Sequence, residues 1–450
     1  MSGRFHRPPA GDPTPVRFPP ISRTRLDNGL GVWMIKHNGV PIVSVSLLVP
    51  HGTGRDPVTA HGLAGLTGDM LDEGAGTRSA IELAEAFGRL GTQLDIDVGP
   101  DTTVLSFSAL ARVFPAALAL VADAVMRPRM AADDFARVRE LRVSRLRQLS
   151  RSAATMADRA YVSAVFAGHP YGHGALGTTA SLEALSVHDA RAFWETTFGP
   201  VGATLVVCGD VDDSEVARAA SSVFQTWVQP PPAPPMVSLP ALVPDPRVIL
   251  VSRPGSPQSE LRIGHAGPGR TTPAYHALVV LNAVIGGQFT SRINRRLREE
   301  KGITYGAHTA FDFRLLAGSF SCDSSVQADA TGTAIADVLD EFAAARQESV
   351  AGEELSAAKA SLTRGYVRNF ETAGQLGRAA AQLATYGLPD DTFDRFVPLV
   401  EAVASPDVLA AAGQVVRPDE ATVVVVGDPD VCLPSLGLLG RSVVELKPEF

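Results

Sequence analysis

The sequence predicts an α+β fold of two homologous halves, each an antiparallel sheet with helices packed on one face. Three observations predict it. In each half strand-like segments come first, helices follow, and one last strand closes the half, which segregates the two kinds of element. The halves also end alike: Ala203 to Asp210 reads ATLVVCGD and Ala421 to Asp428 reads ATVVVVGD. Helical sequence precedes each ending, at 187–197 and 405–416, and the equivalent placement points to duplication. Finally, residues 229–246 read QPPPAPPMVSLPALVPDP. Proline removes backbone donors and favours extended chain, so this stretch is a semi-rigid linker. The boundaries that follow are an N-terminal arm over 1–20, a first domain over 21–228 and a second over 247–450.

The elements follow from local pattern. Residues 42–49 (IVSVSLLV) alternate as a strand. Ser79 and Glu82 form a capping box, and Leu83, Phe87 and Leu90 give a helical stripe that stops at Gly91. A hairpin is expected over 92–98 and 102–110, then helices over 113–126, 131–150 and 153–167. In the second half, strands are expected over 247–252 and 260–265, then helices over 273–285 and 290–300. A hairpin over 304–313 and 318–325 comes next. Helices over 329–347, 352–368, 372–387 and 405–416 complete the half.

Composition narrows the function classes. A chain of 450 residues holds two to four domains at roughly 100–200 residues each. The net charge is −8, from 40 basic and 48 acidic residues, which argues against a nucleic-acid binder. Cys208, Cys322 and Cys432 are too scattered for a metal-binding pair and suit a reducing compartment. The start of the chain lacks the apolar segment of a signal peptide, and no run of about 18 apolar residues spans a bilayer. The expectation is a cytoplasmic protein with neither nucleic-acid nor membrane partners.

The segment Gly62-Leu63-Ala64-Gly65-Leu66-Thr67-Gly68-Asp69-Met70 resembles the first active-site helix of the pitrilysin/insulinase family, the inverzincins. Catalytic members carry His-x-x-Glu-His there, with two zinc-binding histidines and a glutamate that activates water. In this register the first ligand position is Gly65, the general-base position Gly68 and the second ligand position Asp69. The family's third ligand, a glutamate on a later helix opening here at Asp134-Phe135, falls on Ser144. Zinc needs about three protein ligands beside an open position, and one carboxylate does not meet that need. The resemblance therefore implies no metal in this chain. His61 reads as a loop histidine, and Asp69, Asp72 and Glu73 as a solvated acidic face. His169-Pro-Tyr-Gly-His173 reads as a turn, because proline and glycine break the helix that would pair the histidines.

The second half keeps a longer motif. Gly286-Gly287-Gln288-Phe289-Thr290-Ser291-Arg292 leads into Leu297-Arg298-Glu299-Glu300-Lys301-Gly302-Ile303-Thr304-Tyr305. It is similar to the family's C-terminal signature, whose Arg/Tyr pair maps to Arg298 and Tyr305. By that resemblance these two residues help hold substrate, with Gly286 and Gly287 as the substrate-cavity loop. Arginine offers a planar fork of donors, and a tyrosine hydroxyl can donate to a developing oxyanion. Taken singly, Arg298 would read as a helix-end arginine and Tyr305 as a core aromatic. Arg292, Arg295 and Arg296 read as a solvated or ion-paired face. The hairpin around 311–321 offers an edge strand that an extended peptide could join.

The resemblance spans about residues 20–430 and implies a clam-like shell. It implies a zinc-less subunit of a heterodimeric zinc metallopeptidase. Arg298 and Tyr305 would serve substrate binding and transition-state stabilisation, while a paralogous partner would supply zinc. A non-catalytic peptide-binding or scaffold homodimer is the alternative, and an independent peptidase with a metal at Asp69 is a third reading.

Overall fold

The computed structural model describes residues 11, 13–228 and 244–447. Most of the proline-rich linker and of the N-terminal arm thus lies outside the described residues. Two six-stranded sheets form the framework. In the first, the order is Ser22–Arg25, Gly31–Lys36, Thr204–Gly209, Ile42–Val49, Thr103–Leu110 and Asp95–Val98. In the second it is Val443–Glu445, Val248–Ser252, Thr422–Gly427, Gln258–Gly267, Gly318–Gln327 and Thr304–Asp312. From the second strand onward the two orders correspond one to one. The duplication read from the Gly-Asp endings is therefore also a duplication of topology.

The sheets are mixed rather than purely antiparallel. In each half the strand that follows the helices returns through a long helical crossover and inserts between two early neighbours, Gly31–Lys36 and Ile42–Val49 in the first half and Val248–Ser252 and Gln258–Gly267 in the second. Thr204–Gly209 consequently runs parallel to Gly31–Lys36 and antiparallel to Ile42–Val49. Thr422–Gly427 does the same beside Val248–Ser252 and Gln258–Gly267. Both inserted strands are apolar along their length, and nearly every residue is buried. That pattern fits strands covered on both faces rather than one.

The second cover comes from the opposite half. Helix Ala153–Val165 belongs to the first half, yet its Ala157, Ala160, Tyr161 and Ala164 pack on Ile249, Val251, Val424 and Val426 of the second sheet. Helix Ala373–Tyr386 reciprocates, laying Leu376, Ala380 and Leu383 on Ile35, Leu48, Val206 and Cys208 of the first sheet. Burying a leucine contributes about 1.5–3 kcal/mol, so each exchanged helix is a substantial tie between halves. Polar contacts reinforce it: Arg262 pairs with Asp158 at 2.6 Å, and the Tyr161 hydroxyl donates to the Phe320 carbonyl at 3.0 Å. Shared cores, not the linker alone, hold the halves together. The described end of the arm is strapped down as well, with Phe18 packed between Phe370 and Phe393.

Ser79 caps helix Ala80–Arg89 in a capping box with Glu82, as its spacing predicts. The expected helix over 290–300 differs. It starts as Arg292–Asn294 and then winds as a π-helix over Arg295–Glu300. Among the described residues no single helix is long and apolar enough to cross a bilayer.

Candidate functional site

Helix Leu63–Asp69 is buried along nearly its whole length. Its N-terminus is held by Asp56, whose carboxylate accepts from the Gly62 and Ala64 amides at 2.7 Å each. His173 contacts the same carboxylate at 3.0 Å and stacks on His61 with ring centroids 4.0 Å apart. In the loop 167–174 the Tyr171 amide donates to His169 Nδ1 at 3.1 Å. These histidines therefore fasten a turn to the start of the helix.

The positions aligned with the metal site are filled by packing. A Cβ at Gly65 would lie 2.1 Å from the Ala175 carbonyl oxygen and 2.5 Å from the Arg142 guanidinium. A Cβ at Gly68 would lie 2.6 Å from Val98 Cγ2. A histidine or glutamate at Gly65 has no room unless backbone moves, and one at Gly68 has none unless the Val98 side chain shifts. Arg142, on helix Ala132–Leu149, is 6% exposed. It donates from Nη1 to Asp69 and from Nη2 to the Ala175 carbonyl, while its buried Nε has no partner. A guanidinium thus satisfies Asp69, and a fixed positive charge beside that carboxylate opposes a divalent cation. Ser144 is exposed, about 200° round the same helix from Arg142 at 3.6 residues per turn. The residue brought against Asp69 is Arg142, which sequence reasoning missed. Glu73 pairs instead with Arg137 and Asp69 with Arg142, while burial and the nearby charges of Glu73 and Asp69 raise the Asp72 pKa to about 6. Among the described residues no three His, Cys, Asp or Glu side chains cluster as metal ligands. This donor set does not fit zinc.

The second-half motif is arranged differently. Arg292 grips Glu354 through Nε at 2.7 Å and Nη2 at 2.6 Å. Arg296 reaches Asp337 at 2.8 Å, and Lys301 reaches it at 2.5 Å. These cations are spent on helices Gly352–Thr363 and Thr331–Gln347. Arg298 is not. It donates to adjacent Glu299 at 2.7 Å, and its buried Nη1 has no partner. Its guanidinium carbon lies 3.2 Å from the centroid of Phe289, a ring 69% exposed. The π-helical winding occurs at Arg298 itself, and such turns occur frequently at functional sites.

Tyr305 follows, across a turn closed by the Ile303 amide donating to the Leu297 carbonyl at 3.0 Å. Its side chain is 95% exposed, beside a β-bulge between Thr304 and Ala307. No hydrogen bond or ring contact joins Tyr305 to Arg298 among the described residues. Gly286 and Gly287 allow close approach: a Cβ at Gly286 would lie 2.5 Å from Thr309, and one at Gly287 would lie 2.6 Å from Asn282.

The edge expected to receive a peptide is partly closed. Ala307 donates to Asn294 Oδ1 at 2.9 Å and accepts from Asn294 Nδ2 at 2.7 Å. The Thr309 amide donates to the Gly286 carbonyl at 3.2 Å. The outer edge of Thr304–Asp312 is therefore satisfied from 307 to 309, a common protection for edge strands. The three cysteines are free and buried, and burial pushes the Cys208 and Cys322 thiols up, Cys208 to about 12.

Comparison with known proteins shows the family and the fold. Residues 32–179 match the insulinase family (peptidase family M16), and residues 184–362 match the peptidase M16 inactive domain. The chain is 26% identical over 384 residues to an uncharacterized zinc protease of Mycobacterium tuberculosis, covering 85% of this chain and 87% of that one. Against an uncharacterized zinc protease of Streptomyces coelicolor it is 21% identical over 404 residues, covering 88% and 87%. The crystal structure of a peptidase M16 inactive domain from Pseudomonas fluorescens superposes with a TM-score of 0.82. That alignment has 24% identity and covers 91% of this chain and 98% of that one. A Helicobacter pylori protease gives 0.81 at 16% identity, covering 91% and 99%. Both structures share the fold. With residues 32–179 matching the insulinase family and residues 184–362 matching the M16 inactive domain along one chain, this protein belongs to the insulinase family, peptidase family M16.

Proposed function

We propose that this chain is the metal-free subunit of a two-chain zinc peptidase. It would present Arg298 and Tyr305 to a peptide while a zinc-bearing paralogue activates the water. The observation that carries this reading is the Arg298 Nη1, a buried N–H without a partner in a motif whose other inward-facing cations are all paired. Buried donors are seldom left unsatisfied, and an orphan beside the exposed Phe289 marks a place for a ligand acceptor. Arg298 would fork onto a peptide carbonyl, and the Tyr305 hydroxyl would donate to the oxyanion as it forms. The closed edge at 307–309 favours grip by these side chains over strand addition at that point. Free, buried cysteines suit a cytoplasmic location.

The test is reconstitution with a zinc-motif member of the family and a fluorogenic peptide. Tyr305→Phe should lower kcat by on the order of 10²–10³, with KM little changed. Arg298→Lys should raise KM by losing the two-pronged contact. Unchanged turnover in both variants rules the pair out of the site.

A further inference from the structure

A second concavity lies beyond the Arg/Tyr motif and takes no part in the proposal above. It is a cleft of about 920 Å³, within the size range of small-molecule and peptide side-chain sites. It forms where helix Tyr275–Ile285, the turn Tyr366–Phe370, the exchanged helix Ala373–Tyr386 and helix Thr392–Ala402 meet. Arg270, Arg378 and Arg395 line it, and Asp391 is the only carboxylate among the lining residues. Asp391 lies 3.7 Å from Arg395, a pair exposed on both sides. Arg270 stacks on Tyr275 at 3.6 Å, and among the described residues neither it nor Arg378 has an ion-pair partner. Two guanidinium groups without counter-charge thus share one concave surface, where field lines focus. The walls between them are aromatic: Tyr366, Phe370, Phe393 and Phe396. A ligand that matches both features joins an anion to an apolar group.

The cleft is also continuous with the motif. Tyr275 and Val279 line it and also line the neighbouring depression that contains Gly287, Gln288 and Phe311. A chain leaving the Gly286–Gly287 turn along that depression arrives at Arg270. We infer that this cleft anchors a carboxylate of the peptide, its C-terminus or an acidic side chain, next to an apolar residue. The inference deepens the peptide-binding reading above, and it makes the substrate class acidic or C-terminally anchored peptides.

Binding to the full chain alone tests it, without any partner. Four hexapeptides with an uncharged N-terminal dansyl label serve as probes, ending in Phe-Glu or Phe-Gln, each with a free or an amidated C-terminus. The fully neutral probe should bind about tenfold more weakly than the best acidic one, the scale of a charge-assisted contact. Which of the two singly charged probes binds better identifies the carboxylate that is read. The Arg270→Gln/Arg378→Gln double variant should abolish the difference, and Arg270→Lys/Arg378→Lys should recover part of it. Arg378 is exposed, and a melting curve on each variant separates lost binding from lost folding. Equal binding of all four probes, no change in the double variant, or displacement by inorganic phosphate at the peptide's own concentration overturns the inference. The probes are read as binding to the chain alone, so turnover and the Arg298/Tyr305 variants do not enter this readout. The cleft and the Arg/Tyr reading can therefore fail separately.

Discussion

The two halves share a topology but treat the equivalent region in opposite ways. In the first half, helix Leu63–Asp69 is sealed: Val98 fills the space at Gly68, the Ala175 carbonyl crowds Gly65, and Arg142 neutralises Asp69. In the second half the Arg298–Tyr305 segment is open, with an unsatisfied guanidinium N–H and a tyrosine 95% exposed. Loss of a metal site by drift alone would leave a hole or a bare carboxylate, both costly. Here a cation from a neighbouring helix occupies the region, and the surroundings have closed on it. The difference teaches that one duplicated framework can close a helix with packing in one half and leave polar groups open to solvent in the other.

That contrast can be broken most severely at the open half, through the turnover loss expected for Tyr305→Phe. Because Tyr305 packs against almost nothing, the same substitution should leave the melting temperature unchanged. The sealed half should behave in the reverse manner. Arg142→Met removes a buried guanidinium, leaving the half-exposed Asp69 and the Ala175 carbonyl without it, and should destabilise the chain by about 1–3 kcal/mol in urea unfolding, with peptide turnover by the refolded protein intact. Gly65→His, which restores a ligand residue, should destabilise as well, because its Cβ meets backbone at 2.1 Å. It should not confer zinc binding. A stable Gly65→His variant that binds zinc would show that the site is merely vacant of ligands.

A smaller effect sharpens the comparison at the sheet edges. Asn294 holds both backbone groups of Ala307, whereas the outermost strand of the first sheet, Asp95–Val98, pairs only with Thr103–Leu110 among the described residues. Asn294→Ala should cost about 1–3 kcal/mol, the penalty for orphaned polar groups. Amide exchange at Ala307 should then accelerate. Protection unchanged at Ala307 would refute the assignment.

The smallest effect is a pH dependence. Burial lowers the pKa of His169, His265 and His276 from the usual value, and burial with nearby Arg55 takes His51 down to about 4. In the unfolded chain these imidazoles protonate near 6.5. Between that value and about 4 these four imidazoles bind more protons in the unfolded state, so their contribution to stability falls as the pH is lowered, against a smaller opposing contribution from Asp72, whose pKa burial raises to about 6. The urea midpoint should be lower at pH 5 than at pH 7.5, and His51→Asn should flatten the slope. A midpoint that rises on acidification contradicts the account.

Much of this was legible in the sequence. Strand Ile42–Val49 and the Ser79 cap follow from alternation and spacing, and the repeated Gly-Asp endings revealed the duplication. Short edge strands such as Ser22–Arg25 carry too few residues for a period to register. The exchange of helices Ala153–Val165 and Ala373–Tyr386 is invisible, because an apolar stripe does not say which sheet it will meet. Arg142 was unreadable for a related reason: an arginine among arginines on a polar helix looks solvated. The one available hint was that Gly65 and Gly68 leave volume that some other side chain has to fill. The π-helical turn at Arg298 has no sequence signature at all, since it depends on how Arg292, Arg296 and Lys301 are drawn to carboxylates on two other helices.

The most direct measurement is metal content and peptide hydrolysis on the purified chain, alone and after mixing with a zinc-motif family member. The account predicts substoichiometric zinc and no chelator-sensitive hydrolysis alone, with activity that appears on mixing and depends on Arg298 and Tyr305. One zinc per chain together with hydrolysis by the chain in isolation would contradict it.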